Sequence, residues 1–164
     1  MERRTPLAKS ASSELDNTPA PGRDYQELWF ALSQEPWRTV VLVPADPGVS
    51  TVHIADALGD VARWLREPPA TIVTMSDPLA YIEATQLGPR IPLEDQGGTG
   101  RSAASGKVIV AVQPVVVEPL GLAVTRTADA VVLCIEKGRS RLASVRRTIE
   151  LIGRERISGC IFVR

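Results

Sequence analysis

The chain has 164 residues, 44% hydrophobic and 23% charged, and its 19 Lys and Arg balance its 19 Asp and Glu. That length suits one domain with a real core, and a formal net charge of zero argues against a global pull towards nucleic acid or an anionic membrane. An aromatic content of 4% argues against a base-stacking surface, the single histidine, His53, against a zinc site, and the want of any apolar run of about 18 residues against a membrane span.

Cys134 and Cys160 each sit inside an apolar run. They read as buried core thiols, not as a disulfide framework or metal ligands. The N-terminus has no apolar h-region, so no secretory signal is visible and a cytoplasmic protein is the expectation.

Residues 1–22 (MERRTPLAKSASSELDNTPAPG) are polar, rich in Ser, Pro and Ala, and aperiodic. They read as a disordered or extended tail, with an arm that docks on a partner as the sharper alternative. Residues 23–164 read as a single domain. Asp24 is placed to cap a short helix with Tyr25, Leu28, Trp29 and Leu32 on one face, ended by Pro36. Trp29 and Phe30 are adjacent and cannot both turn inward, so one of them is a candidate exposed contact, while Trp37 and Trp64 read as core. Residues 39–43 are β-branched and uninterrupted, as buried parallel strands tend to be.

The stretch PADPGVSTVHIADAL, residues 44–58, joins that strand to the next helix. Strand, tight turn and helix N-terminus form the setting in which a phosphate-binding loop works. Ser50 or Thr51 starts the helix, and Ile54, Ala57, Leu58, Val61, Ala62 and Leu65 make its apolar stripe, with Pro68 and Pro69 as the stop. Residues 70–75 read as a second strand. Asp77-Pro78 is an N-cap followed by proline at the first helical position, which predicts a helix over 78–87.

Periodicity disappears over residues 88–106, which read as a mobile loop. Its glycines precede a strand and do not link a strand to a helix, which speaks against a phosphate cradle. Residues 108–112 are a third strand, 119–127 a short helix and 130–135 a fourth strand. Ser140 is placed to cap a helix with Leu142, Val145, Ile149 and Ile152 inward and Gly153 at its end, and 157–163 is a fifth strand. Alternating strands and helices predict an α/β domain, a three-layer α/β/α arrangement with a mostly parallel sheet. Ligands of such sheets bind at the carboxyl ends of the strands, where residues 44–50, Ser76-Asp77, Gln113-Pro114 and residues 136–140 should gather.

Four segments of residues 24–164 together resemble the cytoplasmic domain of the bacterial tyrosine autokinases, members of the MinD- and ParA-like class of P-loop ATPases that work in capsule and exopolysaccharide assembly. DYQELWFAL resembles the helix before the first strand. VVLVPADPGVSTVHIADAL resembles the strand, phosphate loop and helix, where the family shows Ser-Pro-Gly-Glu-Gly-Lys-Ser-Thr. VIVAVQPVV resembles the Walker B strand, usually Ile-Ile-Asp-Thr-Pro-Pro. ADAVVLCIEKGRSRLASVRRTIELIGRERISGCIFV resembles the last strand–helix–strand unit, for more than thirty residues without a gap.

The departures from the family pattern bear on chemistry. A working loop cradles phosphates with glycine-rich backbone N–H groups and a lysine, and holds magnesium with Ser or Thr. Here Pro47-Gly48 runs directly into Val49-Ser50-Thr51, two residues short, without the lysine or the second glycine. The Walker B aspartate aligns with Ala111. Met75 and Asp77 occupy the two acidic places of the Walker A′ segment. The clustered C-terminal tyrosines are absent, Tyr25 and Tyr81 being the only tyrosines, and the ring-forming Glu-x-x-Arg-x-x-Arg pattern falls on Arg23, Gln26 and Trp29.

The resemblance therefore implies a P-loop NTPase-like fold with a vestigial phosphate loop at Gly48, Val49, Ser50 and Thr51, a vestigial Asp77, no catalytic residue and no metal. Ser50 and Thr51 as magnesium ligands compete with the plainer reading of a helix N-cap pair, and Asp77 as a relict carboxylate with its capping role. His53 reads as a solvated helix residue, and no partner spacing supports Glu118 or Glu136 as a catalytic carboxylate. Weak ATP, magnesium or anion binding at the helix N-terminus stays open. The alternative is a divergent ATPase or tyrosine kinase that recruits Lys107 or Lys137. The partners implied are the cytoplasmic segment of a membrane polysaccharide co-polymerase, an active homologue, or another copy of the chain, with no nucleic acid and no direct membrane span. The arginines 139, 141, 146, 147, 154 and 156 read as a solvated face, with a docking patch for an acidic tail or anionic lipid as the sharper option.

Overall fold

The run of β-branched residues after Arg38 forms β1 (Thr39–Pro44), the middle strand of a five-stranded sheet. The structure is a computed structural model that describes residues 20–74 and 106–163. In chain order, α1 (Arg23–Leu32) precedes β1. After it come α2 (Val52–Trp64), β2 (Thr71–Thr74), β3 (Val108–Ala111), α3 (Leu120–Thr127), β4 (Ala130–Glu136), α4 (Leu142–Ile152), a 3-10 turn (Arg154–Arg156) and β5 (Ile157–Val163). The strands lie in the order β2-β3-β1-β4-β5 and every pairing is parallel.

The connections fix the layers. From β1 the chain crosses β3 to reach β2, and from β3 it crosses β1 to reach β4, in opposite directions along the sheet. Right-handed crossovers then require α2 and α3 to lie on opposite faces. The two buried clusters agree. Val40 and Leu42 of β1 pack with Ile54, Leu58 and Val61 of α2 and with Trp29 and Leu32 of α1. The alternate residues Val41 and Val43 pack with Val124 of α3 and Ile152 of α4. The molecule is thus α/β with helices on both faces of a parallel sheet. Among the described residues no helix is long and apolar enough to cross a membrane.

At the amino ends of the strands one cluster ties three elements together. Trp29, fully buried on α1, donates its indole N–H to Glu67 Oε1 at 3.1 Å, and Lys107 donates to Glu67 Oε2 at 2.7 Å. The Lys107 ammonium also sits 4.4 Å from the Trp29 ring centroid and 4.8 Å from that of Trp37. Burial opposes the charge on Glu67, but the hydrogen bonds from Lys107 and Trp29 outweigh it and hold this carboxyl below its ordinary pKa. Trp37 meets Trp29 edge to face, and its indole N–H finds no acceptor among the described residues.

Several sequence expectations need correction. Asp24 lies in the first turn of α1 and does not cap it; Gly22 holds the cap position. Helix α2 ends before the prolines. Arg66 adopts a left-handed φ of 58°, its N–H bonds to Arg63 O and that of Glu67 to Ala62 O, which closes the last turn two residues ahead of Pro68. Ser140 does not cap α4; its hydroxyl accepts the N–H of Glu136 at 2.9 Å.

Of the α4 stripe only Ile152 is buried, Val145 and Ile149 are half-buried, and Leu142 is 65% exposed. Cys134 is buried, but Cys160 is exposed: it alternates with Ile161 on the outermost strand and faces away from α1 and α2. Trp64 is 43% exposed, at the carboxyl end of α2. Trp29 and Phe30 divide as expected, one buried and one exposed. The helix expected over 78–87, residues 88–105 of the expected loop and residues 1–19 of the tail lie outside the described residues.

Two outcomes follow from burial. Leu58→Ala is expected to cost about 2–5 kcal/mol in urea unfolding, whereas Leu142→Ala should change stability by no more than about 0.5 kcal/mol. Ellman's reagent should titrate one thiol, Cys160, in the native protein. The Cys134 thiol, whose pKa burial pushes far up, should react only after denaturation.

Candidate functional site

The chain after β1 and the chain after β3 leave the sheet on opposite faces, so the carboxyl ends of these neighbouring strands form a topological switch point. A crevice of about 350 Å³ opens there, between Gly48, Val49, Ser50 and Thr51 on one side and Ala111, Val112, Gln113 and Pro114 on the other. Gly48, Val49, Ser50 and Thr51 form the turn between β1 and α2 at this edge. Gly48 has φ +92° and a Cβ there would meet nothing within 4 Å, so its demand for glycine is conformational.

Some of the loop's polar groups are spent internally. Thr51 holds the N-cap position of α2 but its side chain caps nothing. It is buried, and its hydroxyl donates to the Val112 carbonyl at a long 3.4 Å, tying the loop to the end of β3. The Val49 N–H turns back to Asp46 O, the Val52 N–H reaches Ser50 Oγ at 3.4 Å, and the Ile54 and Ala55 N–H groups bond to Thr51 O. Val49 is buried, whereas Ser50 and Gly48 are exposed. Ala111, at the carboxyl end of β3, contributes a buried methyl group. Among the described residues that line the crevice none is charged, and Val52, Val117 and Pro114 give it apolar walls.

The charge that is present next to the loop faces elsewhere. Asp46 is buried, and its carboxylate accepts the Arg141 N–H at 3.1 Å at the amino end of α4. The hydroxyl of Ser144, one turn into that helix, also bonds to it. These hydrogen bonds, from Ser144 first and then Arg141, hold the Asp46 carboxyl below its ordinary pKa against the cost of burial. The carboxylate satisfies an orphan amide and complements the helix dipole. Thr148 donates to the Ala45 carbonyl, and the Ala45 N–H bonds to Cys134 O, so the whole Ala45–Asp46 step is fastened to β4 and α4. Sequence reading missed Asp46. An aspartate inside a phosphate-loop-like stretch gives no sign of a helix terminus 95 residues away.

The two candidate relocated lysines are not at the crevice. Lys107 precedes β3 at its amino end, about 13 Å of strand from Ala111, and is engaged with Glu67, Trp29 and Trp37. Lys137 follows β4 and lines a separate groove beside α1 and β5. Glu118 accepts the Leu120 N–H at the start of α3, and Glu136 pairs with Arg139 at 3.3 Å. His53 is exposed on the first turn of α2. Asp77 and Met75 lie outside the described residues. The arginines at 139, 141, 146, 147, 154 and 156 are all exposed.

Comparison with protein-family models and with curated proteins gives no match.

The Asp46 contact predicts a pH signature. Because the folded pKa lies below the unfolded value of 3.8, the contact stabilises fully above that pH and is lost as pH falls through the folded pKa. Asp46→Ala is expected to cost about 1 kcal/mol near neutrality, in the range of a lost helix cap. In urea unfolding the gap from the parent should narrow steadily as the pH is lowered below 3.8.

Proposed function

We propose that the chain is a catalytically degenerate relative of the bacterial tyrosine autokinases, a pseudo-ATPase that works by binding partners in exopolysaccharide or capsule synthesis or export. The single observation that carries this reading is the crevice at the switch point, where none of the described lining residues is charged. A triphosphate seated there would meet the alanine of position 111 where a metal-organising carboxylate is needed, and no described lysine within the lining. Phosphoryl transfer depends almost wholly on positioning and counter-charge, and such electrostatic terms are worth several kcal/mol each.

Gly48, Val49, Ser50 and Thr51 are on this reading a structural remnant: a tight turn and helix start kept for folding, with at most a weak affinity for an anion at the head of α2. Asp77 is the other remnant. The relocated-lysine alternative loses Lys107, which is held at the amino end of the sheet. Partners of the kind implied by the resemblance are the cytoplasmic segment of a polysaccharide co-polymerase or an active homologue, and the domain would reach the inner membrane through them.

Isothermal titration with Mg-ATP at physiological concentration is expected to give no binding heat, and radiolabelled ATP no turnover. Micromolar affinity, or turnover abolished by Lys137→Ala, overturns the proposal.

A further inference from the structure

Apart from the crevice, a groove of about 720 Å³ lies between α1 and β5. Five consecutive residues of β5, from Ser158 to Phe162, line it. Side chains of a strand alternate between faces, so a groove that touches every residue in turn runs along the backbone edge. That edge is open: β5 pairs with β4 alone, and no described strand lies beyond it.

The strand has few of the usual defences against pairing. Its sequence, ISGCIFV, contains no charge and no proline. A register shift opposite Val131 and Val132 disturbs only its first residues, where the Val131 N–H bonds to Ser158 Oγ. Phe162 is 52% exposed and Cys160 is also exposed, both on the face turned away from α1. The described residues lining the groove include four carboxylates, Asp24, Glu27 and Glu35 from α1 and the turn after it and Asp129 just before β4, and a single cation, Lys137. Glu27 pairs with Arg23 at 2.7 Å, but both groups are well exposed, so the pair neutralises Glu27 weakly. Asp129 is partly spent on the N–H groups of Arg38 and Thr39.

We propose that the free edge of β5 is a docking site for an extended, basic segment of a partner protein, which adds a strand to the sheet. Main-chain hydrogen bonds along β5 supply the affinity, and the two faces of the added strand select its side chains. Alternate residues turned towards α1 meet Asp24, Glu27 and Glu35 and should be Lys or Arg. The residues between them lie beside Cys160 and Phe162 and should be apolar. A second copy of the chain fits less well. Twofold pairing of β5 with β5 would set α1 beside α1, carboxylates against carboxylates. The site is separate from the crevice over Gly48, so it stands whether or not that crevice binds nucleotide.

The test uses the full chain and a fluorescein-labelled synthetic peptide about as long as β5, alternating Lys with Val, followed by fluorescence anisotropy. Binding should weaken with added salt, and a peptide with Glu in place of Lys should not bind. The combined variant Asp24→Asn, Glu27→Gln, Glu35→Gln, checked for an unchanged melting curve, should lose at least about tenfold in affinity. On peptide addition, hydrogen exchange should slow at the amides of residues 157–163. Equal binding of the Glu peptide, undiminished binding by the neutralised variant, or protection confined to α4 overturns the proposal. A stable dimer whose β5 amides are already protected without peptide overturns it as well and gives the edge to a second copy.

Discussion

The carboxylate of Asp46, buried against the first turn of α4, is the contact from which the carboxyl edge of the sheet takes its shape. It holds the end of β1 to a helix that starts 95 residues later, through the Arg141 amide and the Ser144 hydroxyl. Thr148 adds a second tie at Ala45. With β1 fixed this way, the chain has one short turn, through Gly48, in which to reach α2. The Thr51 hydroxyl then closes that turn onto Val112 of the neighbouring strand end. The Thr51 hydroxyl is thereby turned into the scaffold.

Charge is distributed accordingly. The two lysines nearest the sheet ends lie away from the crevice: Lys107 is packed between two indoles and a carboxylate at the opposite edge, and Lys137 beside β5. A cation enclosed by Trp29, Trp37 and Glu67 is already partnered, and moving it to the crevice would leave Glu67 half-buried and uncompensated. In the crevice Val52, Val117, Pro114 and Ala111 share the lining with the polar Ser50, Thr51, Thr74 and Gln113, and among the described residues there none is charged. The strongest surface charge sits elsewhere, as carboxylates along α1 and guanidinium groups on α4 and the turn after it.

Much of the fold was legible in the chain because it is written in local pattern. Residues 39–43, 130–135 and 157–163 are β-branched or apolar runs of strand length, and Ile54, Leu58, Val61 and Ala62 carry an unbroken helical period. The crevice was legible in outline too, since Pro47-Gly48 between a strand and a helix forces a turn there. What local pattern could not give is what distant parts do to each other. Leu142 carries the correct period for a buried stripe, yet it is exposed, and the buried residues of α4 are Thr148 and Ile152. Cys160 sits in an apolar run, yet its strand is the outermost described one, and only the strand order reveals that. Asp46 looks like loop punctuation until α4 is placed above it, and Arg66 ends α2 in a left-handed conformation that ordinary residue preferences assign to glycine.

On the proposed reading, the crevice between the ends of β1 and β3 cannot grip a triphosphate. Crystals soaked with a non-hydrolysable ATP analogue and magnesium test that directly. The map is expected to show no ordered triphosphate against Gly48–Thr51 and the Thr51 hydroxyl still bonded to the Val112 carbonyl. An ordered triphosphate seated on the α2 amides, with magnesium on Ser50 or Thr51 and a lysine reaching it, would contradict the account.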